Sequence, residues 1–375
     1  MKKIITALLL FSLSCALFSC SAERGREYSV EDYRTTMEYH EDFKVLQLTD
    51  LHLGIESDLK LQLEVVEKSI LKELPDLVIL TGDNFMYSNK AMVKRLIETL
   101  NSACKTSTNE RTRLTKFTVT FGNHDNQGDY SRYFINEVIN QYVAPDGEEI
   151  ALGKYASFRD FEDDNLFGNA NFYIDLVDDR EKSLDTVDVK YRIHIIDSNS
   201  YHYLGGKNYG YDVIHEDQLL HTGKVYESAT LDKNYIGLAF FHIPFEEFDK
   251  VRLEHLENGD NSNLGAGEFL EKISAPYENN GSYSKLREAN ICAFFVGHDH
   301  VNYGDFIYTP KDASRGEAIF SYGVKTTNQL YHELDMVGYK TITLRDISVE
   351  EFVSIENINE NFKNITGGYE NYENK

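Results

Sequence analysis

Strand-length apolar runs that stop in turns rich in Asp, Asn and His recur along this chain and constrain its fold more than any other feature. The first spans Phe43 to His52, where Val45 to Leu48 leads into Asp50 and His52. A long helical pattern follows, as expected after the first strand of an α/β sheet. Ligands of such sheets gather at the carboxyl ends of the strands. Four later runs end in the same manner. Leu77 to Leu80 stops at Gly82 and Asp83, and Phe117 to Phe121 stops at Gly122, Asn123, His124 and Asp125. Tyr235 to Phe241 ends at His242, and Ile291 to Val296 ends at Gly297, His298, Asp299 and His300.

Between the early strands the apolar period changes to that of helices. Leu59, Leu63, Val66, Ile70 and Leu74 repeat at intervals of three and four behind a possible cap at Ser57, and Pro75 closes the pattern. Val93, Leu96, Leu100 and Cys104 mark a second helix, and Phe134, Val138 and Tyr142 a third. Alternation of strands and helices predicts a parallel sheet with right-handed crossovers. Phe172 to Leu176 and Val187 to Ile196 read as a hairpin, and residues 200–214 as a Tyr- and Gly-rich surface loop. A helix is expected from Glu216 and another over 282–289. Residues 246–281 read as a loop-like insertion, and short strands near 303–308, 317–322 and 338–344 close the domain. The expected organisation is a signal peptide over 1–19, a tether over 20–41, one main domain over 42–347 and an acidic, disordered tail over 348–375.

Lys2 and Lys3 precede the apolar stretch Ile4 to Leu13, which is too short for an ordinary transmembrane helix and fits an export signal. Leu17 to Ser21 resembles a bacterial lipobox, which makes Cys20 the expected site of lipid attachment, with cleavage after Ala22 as the alternative. The expected location is the outer side of the cytoplasmic membrane, held only by that lipid anchor, or secretion. Two cysteines remain, Cys104 and Cys292, and both read as separate buried thiols. The net charge is -24, from 62 acidic and 38 basic residues. That balance argues against binding a nucleic-acid duplex, which needs a basic surface to replace counterions. It allows a small phosphorylated substrate or a phosphoprotein, because bound cations can reverse the local sign of a site.

The strand ends together offer Asp50, His52, Asp83, Asn123, His124, His242, His298 and His300. Carboxylate, imidazole and amide oxygen suit manganese, iron or zinc. Seven of these eight could be ligands, too many for one tetrahedral ion but suited to two ions that share a carboxylate. Each piece alone is ordinary: Asp after Gly is commonly turn chemistry. Their shared placement after apolar strands is what points to one site. Of the remaining histidines, His202 lies in the Tyr-rich loop, where it could line a pocket with Tyr201, Tyr203 and Tyr209.

In this order the motifs resemble the calcineurin-like metallophosphoesterase superfamily. The stretches Gln47 to Gly54 and Gly297 to Asn302 further resemble its bacterial and fungal branch near phosphatases of the purple-acid-phosphatase-28 kind. The resemblance implies a four-layer α/β/β/α sandwich with two mixed sheets and a dinuclear metal site at the strand C-terminal ends. It implies that Asp50, His52 and His300 hold one ion, that Asn123, His242 and His298 hold the other, and that Asp83 bridges them. It implies hydrolysis of phosphate esters, monoester or diester, by a bridging hydroxide. His124 would be the general acid, and Asp125 would orient His124. A non-catalytic scaffold of the same fold is the competing reading. Purple acid phosphatases proper carry a tyrosine three residues after the bridging Asp, where this chain has Met86, with Tyr87 one place later. A tyrosinate centre is therefore not expected.

Overall fold

A computed structural model describes residues 29–54, 59–111, 113–128, 132–140, 150–153, 166–178, 188–228, 234–258, 265–310, 316–346 and 353–358. The expected signal peptide, Cys20, the cap at Ser57, and Tyr142 lie outside these residues.

Among the described residues, strands β1 (Arg34–Glu38), β2 (Phe43–Leu48), β3 (Leu77–Thr81) and β4 (Lys116–Thr120) come first, with α1 (Leu59–Glu73) and α2 (Lys90–Arg111) between the last three. Next are α3 (Arg132–Asn140), β5 (Phe172–Val177), β6 (Val189–Ile195), β7 (Tyr201–Leu204), β8 (Lys207–Tyr211), α4 (Glu216–Glu227) and β9 (Ile236–Phe240). The chain continues through α5 (Glu246–Asn258), β10 (Gly265–Phe269), α6 (Ser282–Glu288), β11 (Ile291–Val296), β12 (Asn302–Tyr308), β13 (Ala318–Tyr322), β14 (Tyr339–Leu344) and β15 (Val353–Ile358).

These strands form two mixed sheets. A five-stranded sheet runs β15-β14-β2-β3-β4, in which β2, β3 and β4 are parallel and β14 and β15 antiparallel. An eight-stranded sheet runs β1-β5-β6-β9-β11-β13-β12-β10, with β6, β9, β11 and β13 parallel at its centre. Both faces of β9 and β11 are covered, so these two strands read as continuous apolar runs. In β9, Leu238 and Phe240 enter the core shared with the other sheet, while Ala239, and Phe241 just beyond the strand, enter a second core with residues of α4, α5 and α6. In β11, Ala293 and Phe295 face the first core and Phe294 and Val296 the second. With α1 and α2 packed on the five-stranded sheet, the architecture is a four-layer α/β/β/α sandwich.

The fold differs from the sequence reading in four places. The span expected as a tether holds β1, which pairs with β5 in parallel, and Arg34 Nε donates to the buried carboxylate of Asp175 at 2.7 Å. Backbone pairing recruits this polar strand without an apolar pattern. The span expected as a tail holds β15, paired antiparallel along all of β14. The Tyr-rich loop over 200–214 contains the two-stranded hairpin β7/β8, whose exposed faces lack the alternation that marks a half-buried strand. The expected insertion over 246–281 contains α5 and β10 rather than loop alone; α5 buries only a narrow stripe that includes Phe248 and Val251 among many charged residues. Cys104 is buried as expected, whereas Cys292 is half-buried.

Candidate metal centre

The carboxyl ends of β2, β3 and β4 in one sheet meet those of β9 and β11 in the other. Four residues at these ends have left-handed backbones: Asp50 (φ 54°), His52 (φ 47°), Asp83 (φ 49°) and His298 (φ 86°). Such conformations cost side-chain-bearing residues about 1–3 kcal/mol each and persist where surrounding contacts enforce them. Here Asp50 N donates to Gly82 O at 3.1 Å and His52 N to Asp83 O at 2.9 Å. Lys325, buried, donates from Nζ to Asp50 O at 2.9 Å.

Two groups of side chains converge. Asp50, His52, Asp83 and His300 form one, and Asp83, His242 and His298 the other, with the ligand atoms of each group within 4.8 Å of one another. All of these residues are buried. His52 Nε2 faces His300 Nε2 at 2.9 Å, and both lie near Asp50 Oδ1, at 3.6 and 3.5 Å. Asp83 Oδ2 is 3.6 Å from His52 Nε2 and 3.2 Å from His242 Nε2, so one oxygen faces both groups. Its other oxygen accepts the backbone N–H of His124 at 2.8 Å. His298 Nδ1 lies 3.2 Å from His242 Nε2.

Surrounding groups set the tautomers and free the inner atoms. Tyr331 O accepts His300 Nδ1–H at 3.0 Å, and Thr81 O accepts His242 Nδ1–H at 2.8 Å, which leaves Nε2 of each toward the cluster. Asp50 Oδ2 takes Thr49 Oγ1–H at 2.8 Å and His298 N–H at 3.0 Å. Asp50 Oδ1 and Asn123 Oδ1 are buried without a hydrogen-bond partner, as are His52 Nδ1 and His298 Nε2. Buried polar groups are nearly always partnered. Asp50 Oδ1 lies between the Nε2 atoms of His52 and His300, and an unpartnered acceptor among imidazoles fits a cation.

Glycines keep the gaps between these groups open. A Cβ on Gly122 would lie 2.2 Å from Asp83 Oδ1, and one on Gly297 would lie 2.7 Å from Asp50 Oδ2. Gly82 (φ +90°) has the left-handed backbone as well, and its Cβ would meet the His242 ring at 2.7 Å.

Burial opposes charge throughout. It pushes His52 and His298 down to about 3, so both imidazoles are neutral and offer lone pairs. Burial works against ionisation of Asp50, but the imidazoles of His300 and His52 beside its Oδ1 hold its carboxyl well below the usual range. Burial would also lower His242, yet the charge of Asp83 beside it raises it to about 9.

The structure therefore brings Asp50, His52, Asp83, His242, His298 and His300 together. Asn123 adjoins them, its Nδ2 donating to Tyr201 OH at 3.0 Å. His124 is half-buried beside the cluster, its ring edge-on to His52 with centroids 5.2 Å apart. Asp125 departs from its expected role. Its oxygens accept Gly122 N–H at 2.9 Å, Asn84 Nδ2–H at 3.1 Å and Phe85 N–H at 2.9 Å, while His124 Nδ1 stays unpartnered. Asp125 fastens the turn and does not hold the His124 ring at that nitrogen, because its two oxygens are taken by Gly122, Asn84 and Phe85. Met86 occupies the third place after Asp83, and Tyr87 is half exposed.

Several neighbours were not legible in the sequence. Tyr211 meets the His298 ring edge-on with centroids 4.3 Å apart, and Tyr331 stacks on His300 at 4.2 Å. Arg132 donates to both oxygens of buried Asp197 at 2.9 and 3.0 Å, to Gly122 O at 2.6 Å and to Asn199 O at 2.7 Å. His202 stacks on Tyr277 at 4.0 Å and belongs to neither ligand group, and Tyr203 and Tyr209 are exposed. No local pattern announces these contacts, because most of them join elements far apart in the chain.

A family model described as Calcineurin-like phosphoesterase matches residues 43–302, a span that takes in all of the clustered residues. The chain belongs to the calcineurin-like phosphoesterase family. Among curated relatives of this calcineurin-like chain, Phosphatase DCR2 of Saccharomyces cerevisiae is 26% identical over 277 residues, which cover 69% of this chain and 44% of the yeast protein. The match thus spans under half the length of that relative. Probable inactive purple acid phosphatase 29 of Arabidopsis thaliana is 26% identical, covering 70% of this chain and 67% of its own. Probable inactive purple acid phosphatase 28 of the same plant is also 26% identical, covering 72% and 68%. A solved dimetal phosphatase from Danio rerio is similar with a TM-score of 0.47 at 13% identity, covering 81% of this chain and 93% of that one.

Proposed function

We propose that this chain is a metal-dependent hydrolase of phosphate esters. The observation that carries the reading is Asp83, whose single oxygen Oδ2 faces both ligand groups. Asp50, His52 and His300 would hold one ion, Asn123, His242 and His298 the other, and Asp83 both. Manganese, iron and zinc all suit this mixture of nitrogen and oxygen donors. Bound there, two such ions supply Lewis acidity and a nucleophilic water at neutral pH.

The side chains divide the remaining work. Asp50 and Asp83 contribute two negative charges against at least four positive ones, so the loaded pocket attracts a phosphoryl group although the protein as a whole carries -24. His124 stands beside the cluster and is not needed as a ligand, which suits it to give a proton to the leaving oxygen. Its backbone N–H donates to Asp83 Oδ1, which ties the position of the proton donor to that of the bridging carboxylate.

The substrate would be a small phosphorylated molecule or a phosphoprotein. The identity with probable inactive purple acid phosphatase 28 supports placing the chain near that branch. The charged start and apolar stretch of residues 1–22 support export and a lipid anchor on Cys20.

The names of two plant relatives given above favour a second reading, a metal-binding scaffold without turnover. The presence here of all seven ligand residues and of His124 supports catalysis instead. The deciding experiment reconstitutes the chain with manganese or zinc and compares an aryl phosphate monoester with an aryl phosphate diester. Hydrolysis of either, abolished by Asp83→Asn, is expected. Two tightly bound ions with no turnover of any ester would favour the scaffold.

A further inference from the structure

The two ligand groups are braced from different parts of the chain. Apart from the shared Asp83, His242 and His298 of the second group, and Asn123 beside them, are contacted by the segment 197–211. Ser198 Oγ accepts the backbone N–H groups of His242 and Ile243, at 3.2 and 2.9 Å. Ser200 Oγ donates to Asn123 O at 3.0 Å, and Tyr201 OH accepts Asn123 Nδ2–H at 3.0 Å. Tyr211, at the far end of the hairpin, touches His298 and stacks on Tyr201 with centroids 5.3 Å apart. The first group is braced instead from 325–331, through Lys325 to Asp50 and Tyr331 to His300.

Asn123 is the member of its group least able to orient itself. The terminal torsion of an asparagine is broad, and only its amide oxygen can bind a cation. Oδ1 is buried without a partner, whereas Nδ2 is tied to Tyr201. Burial raises the Tyr201 phenol above its ordinary value, so at neutral pH it remains a hydroxyl.

We propose that Tyr201 is a positioning residue that fixes the amide of Asn123, and thereby sets the affinity of one half of the dinuclear centre and not of the other. The inference rests on the dinuclear reading above. Loss of the hydroxyl frees the amide torsion and weakens the ion held with His242 and His298. The ion held by Asp50, His52 and His300 keeps its braces.

The test is a calorimetric Mn²⁺ titration of the metal-stripped full chain, with electron paramagnetic resonance to separate coupled from isolated Mn²⁺. Wild type is expected to bind two ions; a smaller number sinks the dinuclear reading itself. Tyr201→Phe keeps the ring and its stacking on Tyr211, and its melting profile shows whether it folds. It should retain one parental site and weaken the other by about 10–100-fold, the range seen when a partner of a metal ligand is lost. At intermediate Mn²⁺ its signal should be that of isolated ions. Asn123→Ala should produce the same split, and adding Tyr201→Phe to it should change nothing more. Equal weakening of both sites, no change in either, or an additive effect in the Asn123→Ala background would each overturn the proposal.

Discussion

Asp83 and His242 join the two sheets at the candidate centre: Oδ2 of Asp83, just beyond β3, lies 3.2 Å from Nε2 of His242, just beyond β9. Burial disfavours a charged His242, but Asp83 beside it raises the imidazole from 6.5 to about 9, so without a metal it holds a proton. A cation must displace that proton. Metal uptake is therefore expected to release protons at neutral pH, and affinity should fall as pH drops below about 9. Calorimetry of Mn²⁺ binding in buffers of different ionisation enthalpy measures the proton count; a count of zero would contradict the pairing.

Gly122 is predicted to be intolerant of even one methyl group. Its Cβ would sit 2.2 Å from Asp83 Oδ1 and 2.6 Å from His242 Cδ2. Gly122→Ala should cost about 1–3 kcal/mol of stability through overpacking. It should also lower metal affinity at least ~10-fold by displacing ligands. Thermal melts and metal titration read the two effects separately.

His124 and Asp125 should fail in different ways. His124→Ala is expected to lower turnover of an alkyl phosphate by about 10²–10⁴, the usual range for a lost general acid, with a smaller loss on an aryl phosphate. Its metal content should stay at the wild-type level. Asp125→Asn turns an amide NH₂ toward groups that are themselves donors, Gly122 N and Phe85 N among them. It should destabilise the fold by about 1–3 kcal/mol. The shape of the pH–rate profile should persist, because Asp125 does not hold the ring of His124.

Away from the centre, His194 and His221 line one small cavity with Asn171 and Gln218, and Nε2 of each is buried without a partner. Burial lowers His221 from 6.5 to about 4 and His194 well below its ordinary value. The unfolded chain therefore takes up protons that the native state refuses. Their contribution to stability is complete above 6.5 and is lost as pH falls toward 4. The slope approaches about 1.4 kcal/mol per pH unit for each histidine. His221→Gln should flatten the dependence of melting temperature on pH in that window. An unchanged slope would mean that the histidine titrates normally.

The central strands were legible because they are covered on both faces, so Leu77 to Leu80 and Ile291 to Val296 are apolar without interruption. Elements held mainly by backbone pairing or by the surface were not. β1 joins its sheet through β5 and Arg34, and β15 through β14, and neither carries a strong apolar pattern. The hairpin β7/β8 exposes Tyr203, Leu204 and Tyr209, so its Tyr and Gly residues read as loop. Its two inner tyrosines matter through Asn123 and His298, residues that lie 78 or more positions away.

Which side chains stand at the strand ends, and in what order, can be read along the chain, because apolar runs and turn residues are local properties. Folding in three dimensions is what brings Asp83 to His52 and His242 through one oxygen, directs Asp125 to the turn, and sets Tyr201 and Tyr211 of the hairpin against Asn123 and His298. Those relationships depend on how two sheets settle against each other. Packing of that kind is summed over many distant contacts, and no stretch of chain encodes it alone.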